Sequence, residues 1–198
     1  MFLNAAKKNN CKILPIDSEH YCIDYFLKSF PSKNNIKKIY LSASGGPFLK
    51  KKINYKEKIN NVLKHPTWKM GKVITVNSST FANKVLEMFE AKILFNLKKN
   101  QIGLIVEETS NVHAIVFLKN SLLIPIIHKP SMEIAISNSL NLKNFYFTKL
   151  ENLKLHFVKP SKNKFPLIKL GYDILENYGD AAMIFFTVLN ERLVNLYL

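Results

Sequence analysis

The chain is almost without arginine. Arg192 is the single one, although lysine and arginine together number 29 against 14 acidic residues, a formal charge of +15 over 198 residues. Arginine reads base edges and clamps phosphates through paired hydrogen bonds. A basic chain built on lysine lacks that equipment, and nucleic acid is not an expected partner. Lys, Asn and Ile are heavy throughout, as A/T-rich coding with lysine in solvated positions would give. The cationic field still attracts a small phosphorylated molecule. Cysteine is scarce: Cys11 and Cys22 form no CxxC pair, which excludes a zinc or disulfide framework and points to a reduced compartment. No apolar run approaches a membrane span, and the opening MFLNAAKKNNCK lacks the apolar stretch of a signal peptide. The expectation is a cytoplasmic protein (or one of a plastid-type organelle in a eukaryote) with no membrane partner. The six glycines form no GxGxxG, so no dinucleotide-binding turn is legible.

The apolar share of 47% suffices for a real core. Apolar spacing predicts helices over Met1 to Lys8, His20 to Phe30, Met132 to Leu140, Pro166 to Asn177 and Asp180 to Leu198, and a charged surface helix over Lys50 to Lys64. Strands are expected at Cys11 to Ile16, Ile36 to Ser42, Lys72 to Val76 and Leu153 to Val158. Gln101 to Glu107 and Val112 to Leu118 read as a pair of strands. Ser78 or Ser79 reads as the N-cap of a helix from Thr80 to Leu97. The fold class is α/β or α+β: a mixed-sheet catalytic domain flanked by helices over residues 1–160, then a helical C-terminal segment over 161–198.

The stretch His65 to Ala91 gathers the most chemistry. On its helix Asn83, Glu87 and Glu90 fall at i, i+4 and i+7, one stripe of one face. Upstream, Asp17 and Glu19 sit two apart. They read either as hard oxygen ligands for Mg²⁺ or Mn²⁺, completed by a third carboxylate from the stripe, or as an N-cap and first-turn acid for the next helix. Ser44-Gly45-Gly46-Pro47 forms a turn with uncovered N–H groups, a candidate anion nest. Ser78, Ser79 and Thr80 at a helix start, with Lys84 near, would make a second phosphate site. Trp68, between His65 and Gly71, reads either as a lid over a ligand or as an anchor of its loop in the core.

Four motifs in this order resemble the 1-deoxy-D-xylulose 5-phosphate reductoisomerase family: Leu14 to His20 (LPIDSEH), Ser42 to Phe48 (SASGGPF), His65 to Gly71 (HPTWKMG), and Val76 to Ala91 with its Asn83, Lys84, Glu87 and Glu90. Phe147 to Leu150 and Phe165 to Leu170 add to the likeness. The resemblance implies divalent-metal ligation (Mn²⁺ or Mg²⁺) by Asp17, Glu19 and Glu87. It implies substrate contacts from Ser18, Ser44, Ser78, Asn83 and Lys84 with His65 beside them, and a lid at Trp68. Gly71 would lie near the NADPH cofactor. Glu19, Glu87, His65 and Lys84 would be the catalytic set. The implied reaction converts 1-deoxy-D-xylulose 5-phosphate to 2-C-methyl-D-erythritol 4-phosphate in the non-mevalonate isoprenoid pathway, by rearrangement on a metal and reduction by NADPH.

The chain also departs from the family pattern. The Rossmann-type NADPH domain, the Lys-Glu-Ser before the metal motif and most of the C-terminal bundle have no counterpart. Asn77 stands where the family has aspartate. Glu107 to Ser110 replaces His-Pro-Gln-Ser, and Pro130 to Glu133 replaces Pro-Asp-Met-Arg. Asn190-Glu191 is what survives of an Asn-Ala-Ala-Asn-Glu helix. Three readings follow: a catalytic core working with a separate NADPH-binding domain, with homodimer formation compatible; a remnant that binds metal and phosphate without turnover; or a basic interaction module.

Overall fold

The strand Ile36–Ala43 (β1) lies at the centre of the fold, in a computed structural model that describes residues 2–30, 33–54, 56–142 and 153–198. Ile39 and Leu41 are fully buried. A buried strand must satisfy backbone groups on both its edges. Ile102–Glu107 (β2) does so on one side in parallel, and Val112–Leu118 (β3) on the other in antiparallel, with Leu41 level with both Leu104 and Ala114. β2 and β3, expected to pair with each other, are therefore separated by β1. The short polar link at 108–111 looks like a hairpin loop in sequence, and nothing local reveals an intervening strand. Leu123–Ile127 (β4) extends the sheet beyond β3 and Phe157–Val158 (β5) beyond β2, giving the order β4-β3-β1-β2-β5. The mixed sheet flanked by helices agrees with the fold class read from sequence.

Eight helices accompany it among the described residues: Phe2–Lys8 (α1), Ser18–Ser29 (α2), Ile59–Val62 (α3), Lys72–Thr80 (α4), Ala82–Phe95 (α5), Met132–Ser139 (α6), Pro166–Asn177 (α7) and Asp180–Tyr197 (α8). α5 packs on β1 and β2, and α2 on β3. Val85, Met88 and Phe89 of α5, Ile23 and Phe26 of α2, and Ile39, Leu41, Leu104 and Val106 of the sheet share one core with Phe165 and Ile168 before and in α7 and with Met183 and Phe186 of α8. Each such side chain contributes about 1.5–3 kcal/mol by leaving water, so tertiary packing more than helix propensity holds α5. Gly171 permits the close approach of α7: a Cβ there would stand 2.6 Å from Val85 Cγ1.

Four expected elements are corrected. Lys72 to Val76 is not a strand but the start of α4, which buries Thr75, Val76, Asn77 and Ser79 on one side. Its β-branched run is a weak prior that packing overrides. In consequence Ser78 and Ser79 are not N-caps. They lie in the last turn of α4, the chain reverses at Phe81 with φ +64°, and α5 begins at Ala82. Cys11 to Ile16 forms no strand: it gains no sheet partner, and Ile13, Leu14 and Ile16 stay exposed. The helix expected over Lys50 to Lys64 shrinks to the four residues of α3, as suits a run of like charges. Of Leu153 to Val158 only the last two residues pair. The family-like Phe147 to Leu150 lies outside the described residues.

Candidate active site

Asp17 caps α2, its carboxylate accepting from the Glu19 N–H at 3.2 Å. Glu19 therefore sits on the first helical turn, as the N-cap reading of the pair expected. The cap and the acid cluster are one arrangement, because α5 brings Glu87 against them. Each of the three carboxylates offers an oxygen, and these oxygens lie within 4.8 Å of one another. Lys84, one turn before Glu87, contacts Glu19 Oε1 and lies 2.8 Å from Glu87 Oε2. Ser18 Oγ donates to Glu19 Oε2, and Asn83 Nδ2 donates to Glu87 Oε1 at 2.6 Å. Beyond the Lys84 ammonium, the buried Glu87 Oε2 has no further polar partner.

The charges are strongly coupled. Burial would raise Glu19, but the Lys84 ammonium overrides it and holds the carboxyl at about 2. Burial and the Glu19 charge push Glu87 well above the carboxylate range, and the same two causes bring Asp17 to about 6. Burial opposes the charge on Lys84, yet Glu19, Glu87 and Asp17 together keep it raised. Three carboxylates sharing one ammonium have an unmet need for positive charge. An all-oxygen donor set of this kind fits Mg²⁺ or Mn²⁺ and fits softer metals poorly.

A second group of residues converges from the β1–α3 loop, the His65–Gly71 loop and α4. Gly45 and Gly46 take φ +91° and +64°, and a Cβ on Gly46 would stand 2.9 Å from the Ser78 carbonyl oxygen. Glycine at 46 thus lets the turn lie against the end of α4. His65 Nδ1 accepts from the N–H groups of Thr67 (3.2 Å) and Trp68 (2.9 Å). Its Nε2 must then carry the proton and donates to Ser44 Oγ at 3.0 Å. Burial first, and the Lys84 charge second, lower the His65 pKa. His65 so ties the Ser44 turn to the loop bearing Trp68, which is half-buried and absent from the core. The hydroxyls of Ser79 and Thr80 bond back to Val76 and Asn77 carbonyls. The expected helix-start phosphate site at 78–80 is therefore replaced by the turn between α4 and α5.

Both groups line one cavity of about 300 Å³. Asp17, Ser18, Glu19, Ser44, His65, Trp68, Ser78, Asn83, Lys84 and Glu87 are all on its wall, whereas Gly71 is not. Gly71 stands before α4 with open space around it. Glu90 turns outward and lies 3.4 Å from His20 Nδ1. The wall also holds residues that sequence reading missed: Ser110, Val112 and His113 at the β2–β3 connection, and Met132 at the start of α6. A histidine inside the apolar run Val112 to Leu118 gives no signal of a cavity position. The buried hydroxyl of Ser110, which has no partner, shows only in three dimensions.

Residues 13–95 match the family model described as 1-deoxy-D-xylulose 5-phosphate reductoisomerase C-terminal domain, and residues 127–198 match a second, DXP reductoisomerase C-terminal domain. Together the two cover well over half of the chain. The chain belongs to the 1-deoxy-D-xylulose 5-phosphate reductoisomerase family. Among curated relatives bearing that name, the one from Pelagibacter ubique is 41% identical over 97% of this chain and 51% of its own length. The one from Ehrlichia canis is 37% identical over 100% and 53%. A crystal structure of DOX-P reductoisomerase in complex with NADPH, fosmidomycin and magnesium superposes with a TM-score of 0.87 at 32% identity, covering 98% of this chain and 51% of that one. The chain thus spans about half the length of the reductoisomerases it matches. The first family match contains the entire acid cluster and the loop bearing Trp68. The missed Ser110 and His113 fall between the two matched segments.

Proposed function

We propose that the chain is the metal- and substrate-binding half of a reductoisomerase that converts 1-deoxy-D-xylulose 5-phosphate to 2-C-methyl-D-erythritol 4-phosphate with NADPH. The observation that carries the reading is the meeting of Asp17, Glu19 and Glu87 oxygens within 4.8 Å on the wall of the cavity that Ser44, Ser78 and Asn83 also line. The three carboxylates would hold Mg²⁺ or Mn²⁺, which when bound acts as a Lewis acid on substrate oxygens. The chain's own groups do the rest. Ser18 meets the substrate oxygens beside Glu19. Ser44, Ser78, Asn83 and Lys84 hold the phosphate and hydroxyls, and the remote binding of the phosphate orients the reacting end. Trp68 covers the substrate and keeps out water. Gly71 lies toward the nicotinamide. In this reading the partners are the phosphorylated sugar, a dinucleotide-binding domain supplied by another polypeptide segment, and a second copy of the chain. Among the described residues no helix is long and apolar enough to cross a membrane.

Calorimetry of the chain with Mn²⁺ and fosmidomycin tests the reading. Metal-dependent binding of the phosphonate–hydroxamate, abolished in Glu19→Gln, is expected. Failure of both ligands to bind would remove the proposal. The replacement of His-Pro-Gln-Ser by Glu107 to Ser110 favours, as a second reading, a remnant that binds both ligands and turns nothing over.

A further inference from the structure

His113 and His128 form a stacked pair that the reading above does not use. Their ring centroids lie 3.6 Å apart with 14° between the planes. Both side chains are buried, and Tyr21 meets His128 edge-on at 6.3 Å. His113 occupies a β-bulge. The β3–β4 register slips between Val112 and Ala114, and the ladder closes through His128 N–H donating to the Asn111 carbonyl at 3.0 Å. A bulge of this kind re-aims the side chain it contains, and here that side chain lines the cavity.

The hydrogen bonds determine both tautomers, because a carbonyl oxygen only accepts. His113 Nε2 lies 3.2 Å from the His128 carbonyl, so Nε2 carries the proton and Nδ1 is a bare acceptor. His128 Nδ1 lies 2.7 Å from the Lys129 carbonyl and carries its own proton, which leaves His128 Nε2 buried, lone-paired and without a partner. His128 thus touches His113 twice, through its carbonyl and through its ring face. Burial lowers both imidazoles, His113 to about 4, so both are neutral at physiological pH.

We infer that His128 is a positioning residue: it fixes His113 as the Nε2–H tautomer, so that Nδ1 faces the cavity as an acceptor for a hydroxyl of the sugar phosphate. The inference rests on the metal and sugar-phosphate reading of the cavity. The wall also carries Asp17, Glu19 and Glu87, and a neutral imidazole nitrogen beside them accepts from a hydroxyl without adding charge to the acid cluster. The carbonyl sets the tautomer, and the stacked ring prevents His113 from turning over within the bulge.

The test is ring-nitrogen NMR of the full 198-residue chain labelled at histidine, with His128→Ala and His128→Phe. In the wild type, His113 is expected as a single Nε2–H form whose Nδ1 resonance moves on adding Mg²⁺ and 1-deoxy-D-xylulose 5-phosphate. His128→Ala should mix the two tautomers and weaken that ligand about tenfold. His128→Phe, which restores the stack, should return both readouts to within about twofold. A wild-type Nδ1–H form overturns the inference even if His128→Ala does not fold. So does an Ala variant with unchanged tautomer and affinity. If the sugar phosphate does not bind the wild type, the functional reading and the hydroxyl contact fail together, while the spectrum alone still decides the tautomer.

Discussion

At the residue scale the decisive fact is the crowding of Asp17, Glu19, Glu87 and Lys84. Asp17 stands at about 6 in the folded chain against an ordinary 3.8. Between those values the folded state holds a proton that the unfolded chain has released. Its contribution to stability is therefore present at low pH and is lost as pH rises through 6. Glu87 shifts in the same direction. Glu19, at about 2 against 4.5, works the opposite way: its contribution is present above 4.5 and is lost as pH falls toward 2. In the presence of a chelator, Asp17→Asn should melt several degrees above the wild type at pH 7 and level with it at pH 3.5, since asparagine caps a helix as well as aspartate does. Equal melting at both pH values would contradict the assigned effect of burial and of the Glu19 charge on Asp17. For the metal itself, Glu87→Gln should weaken Mn²⁺ by about 100-fold or more, beyond the ~10–100-fold typical of losing an outer hydrogen-bond partner of a ligand. Calorimetry reads this directly. Residue types and spacings left Asp17 and Glu19 open between metal ligands and a helix cap, and it was the family resemblance that joined Glu87 to them. The role of Lys84 as counter-ion to Glu19 and Glu87 was not legible in the sequence, because it depends on how α2 and α5 cross.

At the scale of elements, the loop from His65 to Gly71 owes its shape to one imidazole. His65 accepts two backbone N–H groups and donates to Ser44. Its removal leaves the N–H groups of Thr67 and Trp68 to water and detaches the loop from the Gly45–Gly46 turn. Trp68 is the chain's single tryptophan, so its fluorescence reports this one loop. His65→Ala should shift the emission to the red and make it more accessible to acrylamide. An unchanged spectrum would show that the loop is held by something else. A second tie joins α8 to α4, where Asn190 Nδ2 donates to Asn77 Oδ1 at 3.0 Å. Asn190→Ala leaves the buried Asn77 without that donor and should cost about 1–3 kcal/mol in urea unfolding. Here sequence reading met its limit. Asn77 looked like a departure from a pattern and Asn190 like the remainder of one, and they prove to face each other. Lys72 to Val76 looked like a strand because β-branched residues favour one, yet α4 forms because its buried side packs on the rest of the molecule. The amphipathic helices α2, α7 and α8 were legible because their own spacing records the face they bury.

At the scale of the molecule, the mixed sheet with helices could be inferred, but its strand order could not. Whether β1 or β3 lies beside β2 depends on contacts between residues some 60 positions apart, and no local pattern records them. The same scale decides what the chain does alone. Its described residues assemble an acid cluster, a glycine turn and a tryptophan-bearing loop around one cavity. Its sequence has no glycine-rich strand–turn–helix unit to seat a dinucleotide. Hydride transfer needs donor and acceptor carbons held about 3–3.5 Å apart, which binding of the sugar phosphate cannot supply. The chain with Mg²⁺ should therefore bind 1-deoxy-D-xylulose 5-phosphate and consume no NADPH, followed at 340 nm. Addition of a separately expressed dinucleotide-binding half from a family member should start consumption, and Glu87→Gln should stop it again. Turnover by the chain alone would mean that its own residues seat the nicotinamide. Binding that never leads to turnover, even with the added half, would instead support the remnant reading, in which drift such as that at Glu107 to Ser110, a turn that carries Ser110 and leads into His113 on the cavity wall, has removed catalysis.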